Sequence, residues 1–201
     1  MNIPFQQTPN YALGPAKKIA VVLHFTLGAY RGAVEWLSNA NRPNRSSAHF
    51  VIGRNPGEIV QLVKLNDVAW HAGVISNPND RAKKIMLKNL DGSYVNPNQY
   101  TIGIELAAGY DVDQDEVVEP NENDVTQWQY EQLTELVKSF ATNSEVSFVL
   151  DPKNIIIHGD IADYKEKPEI VRTELLKRLF PVQLTNKEAI KSQIMSLLNQ
   201  L

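Results

Sequence analysis

The chain has 201 residues, with 43% hydrophobic and 21% charged content, the balance of an ordinary globular protein of one domain plus an appendage. Its formal charge of −3 leaves no basic excess to neutralise phosphates, so no nucleic-acid partner is expected. The absence of cysteine excludes disulfides and thiolate metal ligands, and no apolar run approaches the roughly 20 residues that span a membrane.

The opening residues, up to about Lys17, are polar and carry Pro4, Pro9 and Pro15, which predicts an extended lead-in. They lack the basic-then-apolar pattern of a secretory signal, so the protein is expected to be cytoplasmic as made. Lys18 to Phe25 reads as a buried strand that ends on His24. Gly28 and Gly32 precede a helix over about Ala33 to Ala40, with Val34 and Leu37 on one face. Ala48 to Arg54 and Glu58 to Val63 are two strands joined by the turn signal Asn55-Pro56-Gly57. Val68 to Gly73 is a short edge segment. Ile75 to Tyr100 is long, irregular and polar, which predicts a substrate-facing insertion.

Thr101 to Leu106 is a further strand that sets Glu105 between two apolar neighbours. An acidic loop over 111–124 follows. Thr126 with Gln129 then forms a capping box for a helix whose apolar stripe is Leu133, Leu136, Val137 and Phe140. Ile155 to Ile157 is a buried strand delivering His158, and a helix from about Ile170 to Leu179 is broken by Pro181. Residues 181–201 carry a second capping box, Thr185 with Glu188. Behind it Ile190, Ile194, Leu197, Leu198 and Leu201 form an amphipathic helical stripe without chemistry of its own. The order of elements predicts an α/β fold: a mixed central sheet flanked by helices over 1–180, with an extra C-terminal helix.

His24 and His158 both end apolar strands, where a sheet opens into a cleft. Three protein ligands and one open position make a catalytic zinc site, and imidazole is the natural ligand in a chain without cysteine. No HExxH-like pair fixes the spacing, so structural histidines remain the alternative. Glu105 faces away from Ile104 and Leu106, either towards solvent or as a desolvated general base for a metal-activated water.

Five stretches resemble the zinc-dependent type 2 N-acetylmuramoyl-L-alanine amidases, the fold also found in phage lysis enzymes and peptidoglycan recognition proteins. They are Val21-Val22-Leu23-His24-Phe25-Thr26; Ser47-Ala48-His49-Phe50-Val51-Ile52 with Gly57 to Val63; Ala69-Trp70-His71-Ala72-Gly73; Ile102-Gly103-Ile104-Glu105-Leu106; and Ile157-His158-Gly159-Asp160-Ile161-Ala162. They occur in the family's order over roughly residues 18–180. The resemblance implies that His24 and His158 bind Zn2+, that Glu105 is the acid-base residue and that Lys165 stabilises the oxyanion. Trp70 and His71 would line the substrate groove.

The chain departs from the family at Lys165-Glu166-Lys167-Pro168-Glu169, where the family has Lys-x-Asp-Pro-Gly or a cysteine before the proline. Lys167 stands at the ligand position, and an ammonium cannot bind zinc. Glu166 carries a competent oxygen and becomes the third ligand by a shift of one residue. The implied activity is hydrolysis of the amide between the lactyl group of N-acetylmuramic acid and L-alanine, on peptidoglycan or soluble muropeptides, by a monomer. Its setting would be phage-type release onto the wall or cytoplasmic recycling. The alternative is a protein that binds peptidoglycan through the same groove, with a degraded metal site, and does not cut.

Overall fold

A computed structural model describes residues 2–14, 17–108, 110–111, 116–117 and 125–181 of the chain. The predicted amphipathic stripe from Ile190 to Leu201 and most of the acidic loop lie outside the described residues. At the centre is a five-stranded sheet in the order β4 (Ile59–Gln61), β3 (Phe50–Ile52), β6 (Thr101–Ala108), β2 (Ala20–Leu27), β9 (Ile155–Ile157), with β1 (Tyr11–Ala12) paired separately to β5 (Val68–Ala69). β2 (Ala20–Leu27) runs parallel to β6 (Thr101–Ala108) and to β9 (Ile155–Ile157). β3 (Phe50–Ile52) is parallel to β6 and antiparallel to β4 (Ile59–Gln61). The predicted hairpin therefore forms, closed by the Glu58 N–H donating to the Asn55 carbonyl at 3.1 Å. A small outlying ribbon joins β7 (Tyr110–Asp111) and β8 (Glu116–Val117).

Alternation along the strands decides the layers. Val21, Leu23, Ile102, Ile104, Leu106, Ile155 and Ile157 face α3 (Gln127–Phe140) and α5 (Glu169–Leu179), where they meet Leu133, Leu136, Val137, Phe140, Val171 and Leu175. Each such side chain contributes on the order of 2 kcal/mol through burial. The capping box of α3 is present in both directions, Gln129 N to Thr126 Oγ1 at 3.3 Å and Thr126 N to Gln129 Oε1 at 3.0 Å. On the other face, α1 (Tyr30–Ser38) packs Ala33 and Leu37 against Val51, Val60 and Leu62. This helix starts three residues before its predicted beginning, so Gly32 lies inside it.

The segment between β5 and β6, expected to be irregular, is ordered. It contains α2 (Asp80–Lys83) and a 3-10 turn at Pro97–Gln99. Ala82, Ile85 and Met86 pack on Ala20, Val22 and Ile156. Apolar residues at helical spacing, masked by the surrounding polar sequence, make it a cover for the sheet. The lead-in is extended as expected and runs beside β4, the Gln61 N–H donating to the Pro4 carbonyl at 2.9 Å. Backbone pairing there protects an otherwise open sheet edge. A four-residue helix, α4 (His158–Ile161), follows β9 directly.

Candidate metal centre and active site

His24 and Glu105 are direct register partners on β2 and β6. Both therefore project from the same face, opposite the α3 layer, as the alternation around Glu105 predicted. Glu105 is only 9% exposed. Burial pushes its carboxyl above the ordinary range, although the His24 charge and a hydrogen bond from Thr26 pull the other way. Thr26 Oγ1 donates to Glu105 Oε2 at 2.6 Å. Sequence reading gave Thr26 no role; its position two residues beyond His24, on the same strand face, is the signal that points to it.

His158 opens α4 immediately after β9, whose Ile157 pairs with Leu23, so His158 stands level with His24. Their rings meet edge-on with centroids 4.4 Å apart. Asp160 anchors this corner: its Oδ2 accepts the Ile157 N–H at 3.1 Å, and it takes Asn79 Nδ2 at 2.6 Å and Arg81 Nη1 at 3.1 Å. Arg81 Nη1 also reaches Glu169 Oε1 at 2.9 Å, tying both ends of the loop 160–169 together. Inside that loop the Gly159 N–H donates to the Glu166 carbonyl at 2.9 Å. A side chain at position 159 would collide with Lys167 Cγ and lie 2.9 Å from the Glu166 carbonyl oxygen. Glycine permits this approach.

The approach carries the Glu166 carboxylate into the site. Its Oε1 lies 3.1 Å from His24 Nδ1 and 3.0 Å from His158 Nδ1. The Lys167 side chain instead packs against Gly159. Burial opposes the charge on Glu166, but hydrogen bonds with His158 and His24 outweigh it and hold the carboxyl far below the usual range. The two imidazoles respond in opposite directions. Burial disfavours charge on His24, yet Glu105 and Glu166 together raise its pKa; burial and the His24 charge lower His158 to about 4.

His71 joins the group from the loop after β5. Its Nδ1 is 3.1 Å from His24 Nε2, and its Nε2 is 3.3 Å from Thr101 Oγ1. The ring lies on the backbone of Gly103, where a Cβ would overlap it. Asn98 Oδ1 accepts the N–H groups of His71 at 3.0 Å and Ala72 at 2.6 Å. Behind Asn98, the fully buried Lys18 donates from Nζ to the Asn98 carbonyl at 3.1 Å. Neither Lys18 nor Asn98 was visible from sequence, where one looks like a strand-initiating lysine and the other like a loop asparagine. His49 is structural: its Nδ1 accepts the Gly103 N–H at 3.0 Å, and its Nε2 bonds the Asp67 carbonyl at 3.3 Å.

A cavity of about 630 Å³ opens over this cluster, lined by His24, Thr26, His71, Glu105, His158, Lys165 and Glu166. Its outer wall comes from α1, including Trp36, with Arg42 stacked on the indole. Trp70 lines a different cavity of about 700 Å³, together with Leu13, Val68, Leu87, Val95 and Tyr100. Thus the adjacent residues Trp70 and His71 face two separate cavities.

The ligand atoms of His24, His158 and Glu166 lie within 4.8 Å of one another. Two imidazole nitrogens and one carboxylate oxygen are a donor set that suits zinc, and the cavity above them leaves room for a further ligand. The residues present fit such an ion.

The sequence profile of the family described as N-acetylmuramoyl-L-alanine amidase matches residues 16–170. Among curated proteins, the chain is 31% identical over 96 residues to N-acetylmuramoyl-L-alanine amidase A of Achromobacter lyticus, covering 48% of this chain and 41% of that protein. It is 35% identical over 129 residues to 1,6-anhydro-N-acetylmuramyl-L-alanine amidase AmpD of Haemophilus influenzae, covering 60% and 56%. The chain thus spans about half the length of these curated relatives. A solved structure of AmpD as its Se-Met derivative superposes with a TM-score of 0.56 at 22% identity, over 86% of this chain and 93% of that one. The amidase AmiD from E. coli, in complex with anhydro-N-acetylmuramic acid-L-Ala-D-gamma-Glu-L-Lys, gives 0.55 at 23%, over 86% and 60%. These two likenesses speak to the fold.

Proposed function

This chain belongs to the N-acetylmuramoyl-L-alanine amidase family, and on that premise we propose that it is a zinc-dependent hydrolase of the amide between the lactyl group of N-acetylmuramic acid and L-alanine. The observation that carries the proposal is the convergence of His24 Nδ1, His158 Nδ1 and Glu166 Oε1 directly beside the buried Glu105. The substrate is peptidoglycan or a muropeptide fragment, laid in the cavity between α1 and the loop 160–169.

His24, His158 and Glu166 would hold the ion. Zinc bound there supplies Lewis acidity, polarising the scissile carbonyl and acidifying water. Glu105, raised by burial, is suited to take a proton from the attacking water and return it to the departing amine of L-alanine. Thr26 restrains the carboxylate through Oε2 and leaves Oε1 for that exchange. Lys165, on the cavity wall, offers an ammonium to the negative charge that develops on the carbonyl oxygen. Trp36, half exposed and covered by Arg42 on one face of its ring, leaves the other for a sugar or lactyl group to lie on.

Lys167 gave reason to consider a wall-binding protein that does not cut. The presence of the Glu166 oxygen beside both histidines favours the hydrolase. The experiment is metal analysis of the purified protein coupled to muropeptide cleavage with and without chelator. About one zinc per chain and chelator-sensitive release of peptide are expected, with Glu105→Ala keeping its zinc but losing turnover. Chelator-insensitive turnover would overturn the zinc mechanism, and a metal-free protein that binds wall fragments would leave only the binder.

A further inference from the structure

His71 is not placed to ligate the ion, because its Nδ1 points at the side of His24 that faces away from Glu166. A run of hydrogen bonds beyond it has a fixed direction. It begins at the Pro97 carbonyl, which can only accept. Thr101 Oγ1 lies 2.7 Å from that oxygen and spends its single proton there. Facing His71 Nε2 at 3.3 Å, the Thr101 hydroxyl then has only lone pairs to offer. His71 Nε2 must therefore carry the proton. Nε2 thus holds the proton of the imidazole, and Nδ1 is the acceptor of a ring that has no carboxylate among its hydrogen-bond partners. That acceptor nitrogen, 3.1 Å from His24 Nε2, requires a proton on His24 Nε2.

We infer that His71 is a positioning residue, whose Nε2–H tautomer, set by Thr101 and the Pro97 carbonyl, holds a proton on His24 Nε2, so that Nδ1, the nitrogen facing Glu166 and His158, is the one that would give its electron pair to a bound ion. The opposite polarity would require Thr101 to abandon its 2.7 Å bond for the 3.3 Å one. Asn98 fixes the His71 backbone and the Gly103 surface fixes the ring plane, so His71 cannot turn away to relieve a mismatch. Such outer partners typically alter metal affinity by about 10–100-fold.

The inference rests on the zinc reading only where metal binding is measured; the tautomer belongs to the protein itself. Nitrogen-15 NMR of the metal-free protein should find His71 protonated on Nε2 and bare on Nδ1. Protonation on Nδ1 would overturn the inference. Thr101→Val removes the acceptor at constant shape; it should mix the His71 tautomers and weaken zinc binding about tenfold, measured by chelator competition. Thr101→Ser keeps the hydroxyl and should remain within about twofold of the unaltered chain. A Thr101→Val protein with unchanged tautomer and unchanged affinity would also refute it. The spectrum of the unaltered chain decides the tautomer even if the valine variant fails to fold. An unaltered chain that binds no zinc defeats the proposed function and leaves the tautomer assignment decided by that spectrum.

Discussion

Lys18→Met should stabilise the protein at neutral pH and destabilise it in alkali. Lys18 is fully buried, and desolvation lowers its pKa from 10.5 to about 7, opposed only in part by the charge of Asp67. The unfolded chain therefore binds more protons than the folded one between about pH 7 and pH 10.5, and stability rises with pH across that window. At about 1.36 kcal/mol per pH unit, the full interval is worth roughly 5 kcal/mol, of which about 4 is still owed at pH 7. Methionine removes that penalty and also deprives the Asn98 carbonyl of its donor, a loss of about 2 kcal/mol. The variant should be more stable by about 2 kcal/mol at pH 7 and less stable by a similar amount above pH 10.5. Urea denaturation of both proteins at a series of pH values measures the difference directly, free of groups they share. A difference that does not change sign between those limits would refute the reasoning.

Gly103→Ala should cost about 1–3 kcal/mol, because the new methyl must displace the His71 ring; thermal unfolding reads the loss, and zinc affinity should fall with it. Arg81→Ala leaves the buried Asp160 with Asn79 and the Ile157 N–H as partners and should destabilise by about 2 kcal/mol in urea, since Arg81 is itself part-exposed. Glu166→Gln should weaken zinc binding at least about tenfold, while Lys167→Ala should leave it nearly unchanged; the reverse ranking would place the third ligand at position 167.

The parts of the site on strands were readable in advance. Apolar runs mark β2, β6 and β9 and end two of them on His24 and His158, and a period of two sends Glu105 away from Ile104; that the three belong to one site came from the family resemblance, and the strand register puts them on one sheet face. The loop residues were harder. Glu166 and Lys167 are neighbours in irregular backbone, where no periodicity says which side chain turns inward; the hydrogen bond from Gly159 to the Glu166 carbonyl decides it. Trp70 and His71 share one motif but part company because His71 crosses over Gly103 while Trp70 turns to the cavity beside Leu87. The burial of Lys18 had no local signature at all, since it depends on the 3-10 turn at Pro97–Gln99, which arrives from eighty residues along the chain.

His24 and Glu105 share one level of the ladder, and His158 follows the pair Leu23–Ile157 onto that same level. The backbone pairing is thus the ruler by which the chemical groups are aligned, and no connection between strands has to measure a distance. Residues added at an exposed turn of a connection, such as Asp91–Gly92 between β5 and β6, would add only a fraction of about 0.6 kcal/mol of closure cost and leave the alignment intact. A single residue inserted within β2 ahead of His24 would turn the imidazole into the α3 core. Tolerance to insertion should accordingly be wide at exposed turns of the connections and close to nil within three short stretches of strand.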